Sequence, residues 1–212
     1  MVKILKKKAK IKANKSTKIN KFPEKLMKYL EAAGIPHEVI SHRTVYTAYD
    51  TAATMKKKLN EIAKSILVKA DKDYWLIVLP ADENVDFKKL GAFLKKVNKK
   101  EIKMIKIPGE KIVTELLNLK NQTVGAFGKL HNLPVAVEKN LVKAKKAIFS
   151  SGDFNNSVQM KVNDFIKLEN ALLGSFGVKK KIKLIKTSRI KSRISPRINA
   201  NFKRKKTKTG KK

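Results

Sequence analysis

The sequence predicts an α/β fold of the α+β-like kind: a single mixed β-sheet, partly barrel-like, with helices packed around it and a basic extension at each end. Three observations predict it. Strand-like and helix-like segments are interspersed across residues 22–177 without the clean βαβ repeat of a purely parallel sheet. One strand candidate, Tyr74–Leu79, is apolar throughout, as a strand covered on both faces must be. Charge is also segregated. Of 51 Lys+Arg against 17 Asp+Glu, 25 bases and no acid fall in residues 1–21 and 178–212, so the middle keeps only +9 of the net +34. Runs of like charge repel themselves and rarely fold alone. The expected division is a disordered basic arm over 1–21, one domain over 22–177 and a disordered basic tail over 178–212.

The elements follow in order. Pro23 opens a helix at its first position, where a missing N–H costs nothing, and Gly34 closes it. Leu26, Tyr29, Leu30 and Ala33 form its apolar stripe. Pro36–Ser41 reads as a strand. Asp50–Leu59 reads as a short helix with Lys56, Lys57 and Lys58 in its last turn, where cations complement the dipole. Ile62–Ala70 and Tyr74–Leu79 form a hairpin turned by Asp71, Lys72 and Asp73. Asp86–Val97 is an amphipathic helix with Phe87, Leu90, Phe93 and Leu94 on one face. Ile102–Ile107 alternates as a strand, and Pro108-Gly109 leads into a helix over Glu110–Leu117. Residues 121–132 are a loop. Pro134–Val137, Lys146–Phe149 and Ser157–Val162 are short strands. Asn163 or Asp164 caps a last helix, with Phe165, Leu168 and Leu172 inward, that ends at Gly174.

Composition excludes several chemistries. With no cysteine there is no disulfide, thiolate nucleophile or cysteine zinc site. His37, His42 and His131 lack metal-ligand spacing, so no metal is expected. No apolar run approaches the roughly 20 residues of a membrane helix. Val2–Leu5 is too short for a signal-peptide core, so a cytoplasmic location is expected. The arms attract polyanions through counterion release, although a solvated tail or a generally lysine-rich proteome would give the same composition.

A few residues could carry chemistry. Lys64 shares a strand face with Ile62, Ile66 and Val68. It either snorkels to solvent or is held desolvated, where it could orient a carbonyl, a ribose or a water, or stabilise negative charge. The Gly125-Ala126-Phe127-Gly128 loop either brings backbone N–H groups to a ligand or is an ordinary turn. It does not fit a phosphate-binding fingerprint. Ser150-Ser151-Gly152-Asp153 offers donors at a pocket rim or is a turn, and no nucleophile elbow surrounds Ser151. His42 and Thr44 follow a strand, where capping is as natural as catalysis. Trp75 belongs to the core.

Taken in order, these segments resemble the YbaK/ProX aminoacyl-tRNA deacylase family, related to the editing insertion of bacterial prolyl-tRNA synthetase. The resemblance runs from residue 26 to 172. It is carried by Leu30-Glu31-Ala32-Ala33-Gly34-Ile35-Pro36-His37, by His42 followed by Thr47–Ala53, and by Ala63-Lys64-Ser65-Ile66-Leu67-Val68. Pro80-Ala81-Asp82, Val85–Leu90, Gly125–Gly128 with Leu133–Val137, Ser151-Gly152 and Asp164-Phe165 continue it. One departure is clear: Ala126 stands where the family has a proline, and Gln122 or Thr123 where an earlier glycine is expected. The departure could mark a different amino-acid specificity.

The resemblance implies hydrolysis of the ester joining a wrong amino acid to tRNA. Such an activity answers a physical limit, because binding alone separates small apolar side chains by only about 1–3 kcal/mol. It implies Lys64 as the catalytic residue and His42, Thr47, Gly125, Ala126, Phe127, Gly128, Ser151 and Gly152 as substrate contacts, with no cofactor. The expected partners are mischarged aminoacyl-tRNA and, through it, an aminoacyl-tRNA synthetase, with no membrane. Lys179, Lys180, Lys181, Arg189, Arg193, Arg197, Lys203 and Arg204 are the expected contacts to the tRNA backbone. A non-catalytic RNA-binding protein on the same domain is the main alternative. A ribosome- or nucleoid-associated basic protein would explain the arms but not the ordered motifs.

Overall fold

The computed structural model describes residues 22–119 and 123–180, all within the unit that ends at Lys180. Helix α1 (Glu24–Ala33), strand β1 (His37–Ser41) and helix α2 (Ala48–Met55) come first. β2 (Ile62–Ala70) and β3 (Asp73–Pro80) form the expected hairpin. A short strand β4 (Glu83–Val85) leads into α3 (Phe87–Asn98). β5 (Ile105–Lys106) and α4 (Glu110–Leu116) follow. β6 (Val135–Glu138), β7 (Lys146–Ser150) and β8 (Asn156–Lys161) complete the centre. α5 (Val162–Glu169), β9 (Leu172–Gly174) and β10 (Gly177–Lys179) end the described chain.

The main sheet runs β1-β8-β7-β2-β3-β6-β9, with β5 also on β2, while β10 and β4 form a separate two-stranded ribbon. β2–β7, β3–β6 and β6–β9 are parallel and the other pairings antiparallel. The sheet is mixed, as expected, but β1 and β9 remain edges and no barrel closes among the described residues.

β3 explains its own sequence. Leu76 and Val78 face a core with α1 and α5, and Trp75, Ile77 and Leu79 face a second core under α3. Both faces are covered from residue 75 to 79, so that stretch is apolar throughout, while Asp73 at the strand's start is exposed.

Several boundaries shift for local reasons. Pro23 caps α1 from outside rather than entering it, and Gly34 takes the left-handed conformation at φ 62°. Thr47 and Asp50 form a reciprocal capping box, so α2 starts before Asp50. Lys56 is left-handed and stops α2, which puts Lys56–Lys58 past the helix end. The strand expected over 102–107 shrinks to two residues, because the Asp71 carboxylate takes the amides of Lys103 and Met104. The last helix is preceded by Lys161, not Asn163 or Asp164, and stops at left-handed Asn170, so Leu172 lies half-exposed in β9.

β10 starts at the last residue of the expected domain and runs into the stretch expected to be tail, 178–212. It pairs with β4, from Gly177 opposite Val85 to Lys179 opposite Glu83. The Glu138 carboxylate accepts the N–H groups of Phe176, at 2.6 Å, and of Gly177. The Phe176 carbonyl accepts the Asp86 amide at 2.8 Å. The expected arm over 1–21 and the residues from Lys181 onward, including Arg189, Arg193, Arg197, Lys203 and Arg204, lie outside the described residues.

Candidate active site

The pairing pattern of β2 makes the cleft. β2 pairs with β7 only at Ile62 and Ala63, and with β5 only at Lys69 and Ala70. Where β2 and β7 part, a cavity of about 250 Å³ opens, lined by residues 45–48 and Thr51 at the start of α2, the start of β2, Thr123-Val124, Ile148, and Ser150, Asp153 and Ser157. Ligand sites favour such places, where neighbouring strands diverge.

Lys64 stands at this opening. Ile62, on its face, packs with Ala52, Ala81 and Ile148, and Ile66 and Val68 pack under α3. The lysine is thus desolvated by its neighbours but turned toward the rim. Its amine donates a short hydrogen bond to the Glu83 carbonyl and lies 3.5 Å from Asn84 Oδ1. Burial, then the positive charge of Lys180, lowers its pKa to about 8 against the opposing pull of Glu83 and Asp82.

The wall opposite is built by two loops tied together. The amides of His42 and Val45 donate to the carbonyls of Asn155 (2.8 Å) and Phe154 (2.9 Å), and the Tyr46 ring rests on Phe154 at 5.3 Å. Thr47 lines the cavity, but its hydroxyl is committed to capping α2 through Asp50. His42 Nδ1 donates to the Arg43 carbonyl (2.8 Å), which leaves Nε2 to accept from the Ser157 hydroxyl (2.9 Å), a tautomer assigned from these partners. Burial pushes the His42 pKa down, against the Arg43 carbonyl and Asp153, so the imidazole is neutral at neutral pH. His42 therefore reaches the cavity through Ser157.

The glycine loop behaves differently from expectation. Gly125 packs on the backbone of Ser151-Gly152, and a Cβ there would stand 3.3 Å from the Gly152 nitrogen. Thr123 N–H donates to the Gly152 carbonyl and Ala126 N–H to the Ser150 carbonyl, both at 3.0 Å. Ala126 and Phe127 are buried in the core, where Phe127 meets Tyr29 and Phe165 edge-on. A Cβ at Gly128 would lie 2.7 Å from the Leu133 carbonyl oxygen. Residues 126–128 thus hold the loop to the core, and among the described residues of the loop only Thr123 and Val124 reach the cavity. Ser151 Oγ donates to the Asn156 carbonyl at 2.6 Å and accepts from the Asp153 amide, so it holds the turn together. Gly152, at φ 89°, is required by that turn.

Ser150 and Asp153 line the cavity, at the rim position read from the 150–153 segment, and the structure adds Thr51, Ser65 and Ser157, which sequence reasoning did not single out. Ser65 Oγ is buried without a hydrogen-bond partner among the described residues. Its position next to Lys64 was the only signal available. A wider depression of about 450 Å³ lies on the outer surface of α3, between Lys95, Lys96, Lys99, Lys100 and Glu101. Its one carboxylate is already tied to Lys95. No cluster of histidine and carboxylate groups able to hold a metal occurs among the described residues. The cleft therefore offers one cationic amine, hydroxyls and a carboxylate, with a neutral imidazole behind Ser157, a set suited to orienting a carbonyl and a water.

The comparisons with known proteins agree with this geometry. A family model described as an aminoacyl-tRNA editing domain matches residues 42–168. No curated protein matches the chain. Among solved structures, the chain is similar to a hypothetical protein, with TM-score 0.62 and 18% identity over 73% of this chain and 100% of that one. It is also similar to a candidate trans-editing enzyme for prolyl tRNA synthetase, with TM-score 0.60 and 18% identity over 74% of this chain and 95% of that one. A scaffold protein from computational epitope grafting matches at TM-score 0.62 and 16% identity, over 77% of this chain and 100% of that one. At such identities the structures speak for the fold. The family segment covers more than half of the chain and contains every residue lining the cleft, from Val45 to Ser157, and on this ground the chain belongs to the aminoacyl-tRNA editing domain family.

Proposed function

We propose that this protein is a trans-editing hydrolase that cleaves the ester between a wrong amino acid and the terminal ribose of a tRNA. The observation that carries the reading is Lys64, a half-desolvated amine anchored on the Glu83 carbonyl at the mouth of the family's cleft. In the reaction, water adds to the acyl carbon and gives a tetrahedral oxyanion. The ribose oxygen then leaves with a proton, releasing free amino acid and intact tRNA. The Lys64 ammonium, set in a partly dry site, stabilises the developing negative charge more than it could in water. Of the cavity-lining hydroxyls, Thr51 donates to the Thr47 carbonyl and Ser157 to His42, so Ser65, whose hydroxyl has no partner among the described residues, would be the one to orient the ester or the water.

The solved candidate trans-editing enzyme supports action on tRNA charged by a separate synthetase. The basic arms, with 25 bases and no acid, would hold the tRNA backbone. Work on aminoacyl-tRNA would place the protein in the cytoplasm. No helix among the described residues is long and apolar enough to cross a membrane.

One observation favours the non-catalytic alternative. The Ala126 amide is spent on the Ser150 carbonyl, so this part of the glycine loop offers no donor to an oxyanion. A deacylation assay on tRNAs charged with Ala, Cys, Ser or Pro separates the two. Release of amino acid by the wild type, lost in Lys64→Ala with an unchanged circular dichroism spectrum, supports the hydrolase. Full activity in Lys64→Ala overturns the mechanism. A wild type that binds tRNA but releases nothing leaves the RNA-binding reading.

A further inference from the structure

Beyond the family segment the chain adds β9, β10 and Lys180, and the last of these lies close enough to Lys64 for its charge to act on that amine. Its delivery is tightly specified. Glu138 clamps the amides of Phe176 and Gly177, and Phe176 is fully buried with its ring 5.7 Å from that of Phe93. Gly177 passes so close to the Glu83 carboxylate that a Cβ there would collide with it. β10 then pairs with β4, and the Lys180 amide donates to the Asp82 carbonyl at 3.0 Å. These contacts bring Lys180 beside the segment whose Glu83 carbonyl seats Lys64.

The Lys180 side chain is held on the other side by α2. Its Nζ donates to the Tyr49 hydroxyl at 3.1 Å and lies 4.5 Å from the centre of the Tyr49 ring. Asp82 could have neutralised it, but that carboxylate pairs with Lys179 at 3.2 Å. No carboxylate forms an ion pair with either Lys180 or Lys64 among the described residues. Asp82 and Glu83 act on Lys64 only through space, and two cations near each other with no ion pair to either favour a shared anion. The Tyr49 hydroxyl accepts from Lys180 and keeps its own hydrogen free to donate. A lysine and a tyrosine hydroxyl together make a fitting seat for one phosphate oxygen.

The substrate of the hydrolase reading carries such an anion. Its ester sits on the ribose of the terminal adenosine, and the nearest negative charge is the phosphodiester on the 5′ side of that nucleoside. We propose that Lys180, delivered by β10 from outside the family segment, is a positioning residue that holds this phosphodiester while Lys64 faces the ester. The proposal rests on that reading for the identity of the ligand. The charged and titratable groups around the two lysines are Asp82 and Glu83 at β4, Lys179 on β10, Tyr49 on α2 and Asp153 across the cleft.

The test compares adenosine 5′-monophosphate with adenosine by calorimetry on the full chain, as wild type, Lys180→Ala and Lys180→Arg. The expected result is that the monophosphate binds wild type about tenfold or more tightly than adenosine, the scale of a charge-assisted hydrogen bond. Lys180→Ala loses the preference and Lys180→Arg keeps most of it. In deacylation, Lys180→Ala raises KM for aminoacyl-tRNA with little change in kcat, and leaves KM for aminoacyl-adenosine, which has no phosphate, unchanged. Removing the positive neighbour also moves the Lys64 limb of the pH profile to higher pH. Equal binding of the two nucleosides by wild type, or a preference that survives Lys180→Ala, overturns the proposal and leaves hydrolysis by Lys64 standing. A wild type that hydrolyses no ester but shows the Lys180-dependent preference supports the phosphate seat and removes the hydrolase reading.

Discussion

Lys64 shows what one residue can and cannot announce. Its place among Ile62, Ile66 and Val68 is legible from alternation along the strand. Its seat is not, because Glu83 belongs to β4 and Lys180 directly follows β10, elements too short to show a period. The low pKa gives a signed prediction. If the ammonium stabilises the oxyanion, kcat/KM for aminoacyl-tRNA falls as pH rises through about 8, the value for Lys64. A rate that climbs through the same range would mean that the neutral amine does the work. Gly128 gives a prediction of the opposite kind. A Cβ there would stand 2.5 Å from Val135 Cγ2, so Gly128→Ala should cost about 1–3 kcal/mol through overpacking. The site should be spared, so a lower melting temperature with normal kcat in the folded fraction is the expected pair of results. The motif pointed to a ligand-binding loop, whereas Ala126, Phe127 and Gly128 serve the core, because a pattern of small residues looks alike beside a substrate and beside a neighbouring strand.

At the scale of elements, long periodic segments read correctly and caps moved their ends. The hairpin β2–β3 and the helix α3 carry their periods over eight residues or more. β4, β9 and β10 have three residues each, too few for alternation to speak. The β4–β10 ribbon also buries two carboxylates, Glu83 and Glu138, which no sequence pattern suggests. Burial first, and then the charge of Glu138, raises the Glu83 pKa above its ordinary 4.5. A group raised on folding gives stability that is fully present below its unfolded value and is lost as pH rises through the folded one. The protein should therefore lose stability above pH 4.5 as Glu83 ionises, and Glu83→Gln, which keeps the shape without the charge, should flatten that loss. Melting temperature against pH for the two proteins measures it. A wild-type curve no steeper than that of the variant would show that Glu83 ionises at no cost.

For the whole molecule, the charge map foresaw a basic tail, and the structure moves its start. β10 belongs to the folded unit, so the boundary lies after Lys180 rather than before Val178. Deleting residues 181–212 should leave the melting temperature unchanged while weakening tRNA binding. It should also flatten the dependence of log affinity on log salt, by about 0.7–0.9 for each phosphate that the tail had neutralised. An unchanged slope would mean that the tail touches no phosphate. Deleting residues from 175 onward should act on the fold instead, since it strips the cover from Glu83 and Glu138 and removes the acceptor of the Asp86 amide. The same ribbon sets an order of events during synthesis. A nascent chain that has been translated only through residue 168 possesses the entire inherited editing segment, yet the strand that braces the Lys64 anchor has still to be added. Prematurely terminated products are thus left with an unbraced Lys64, and the domain becomes complete only once the ribosome has passed residue 180.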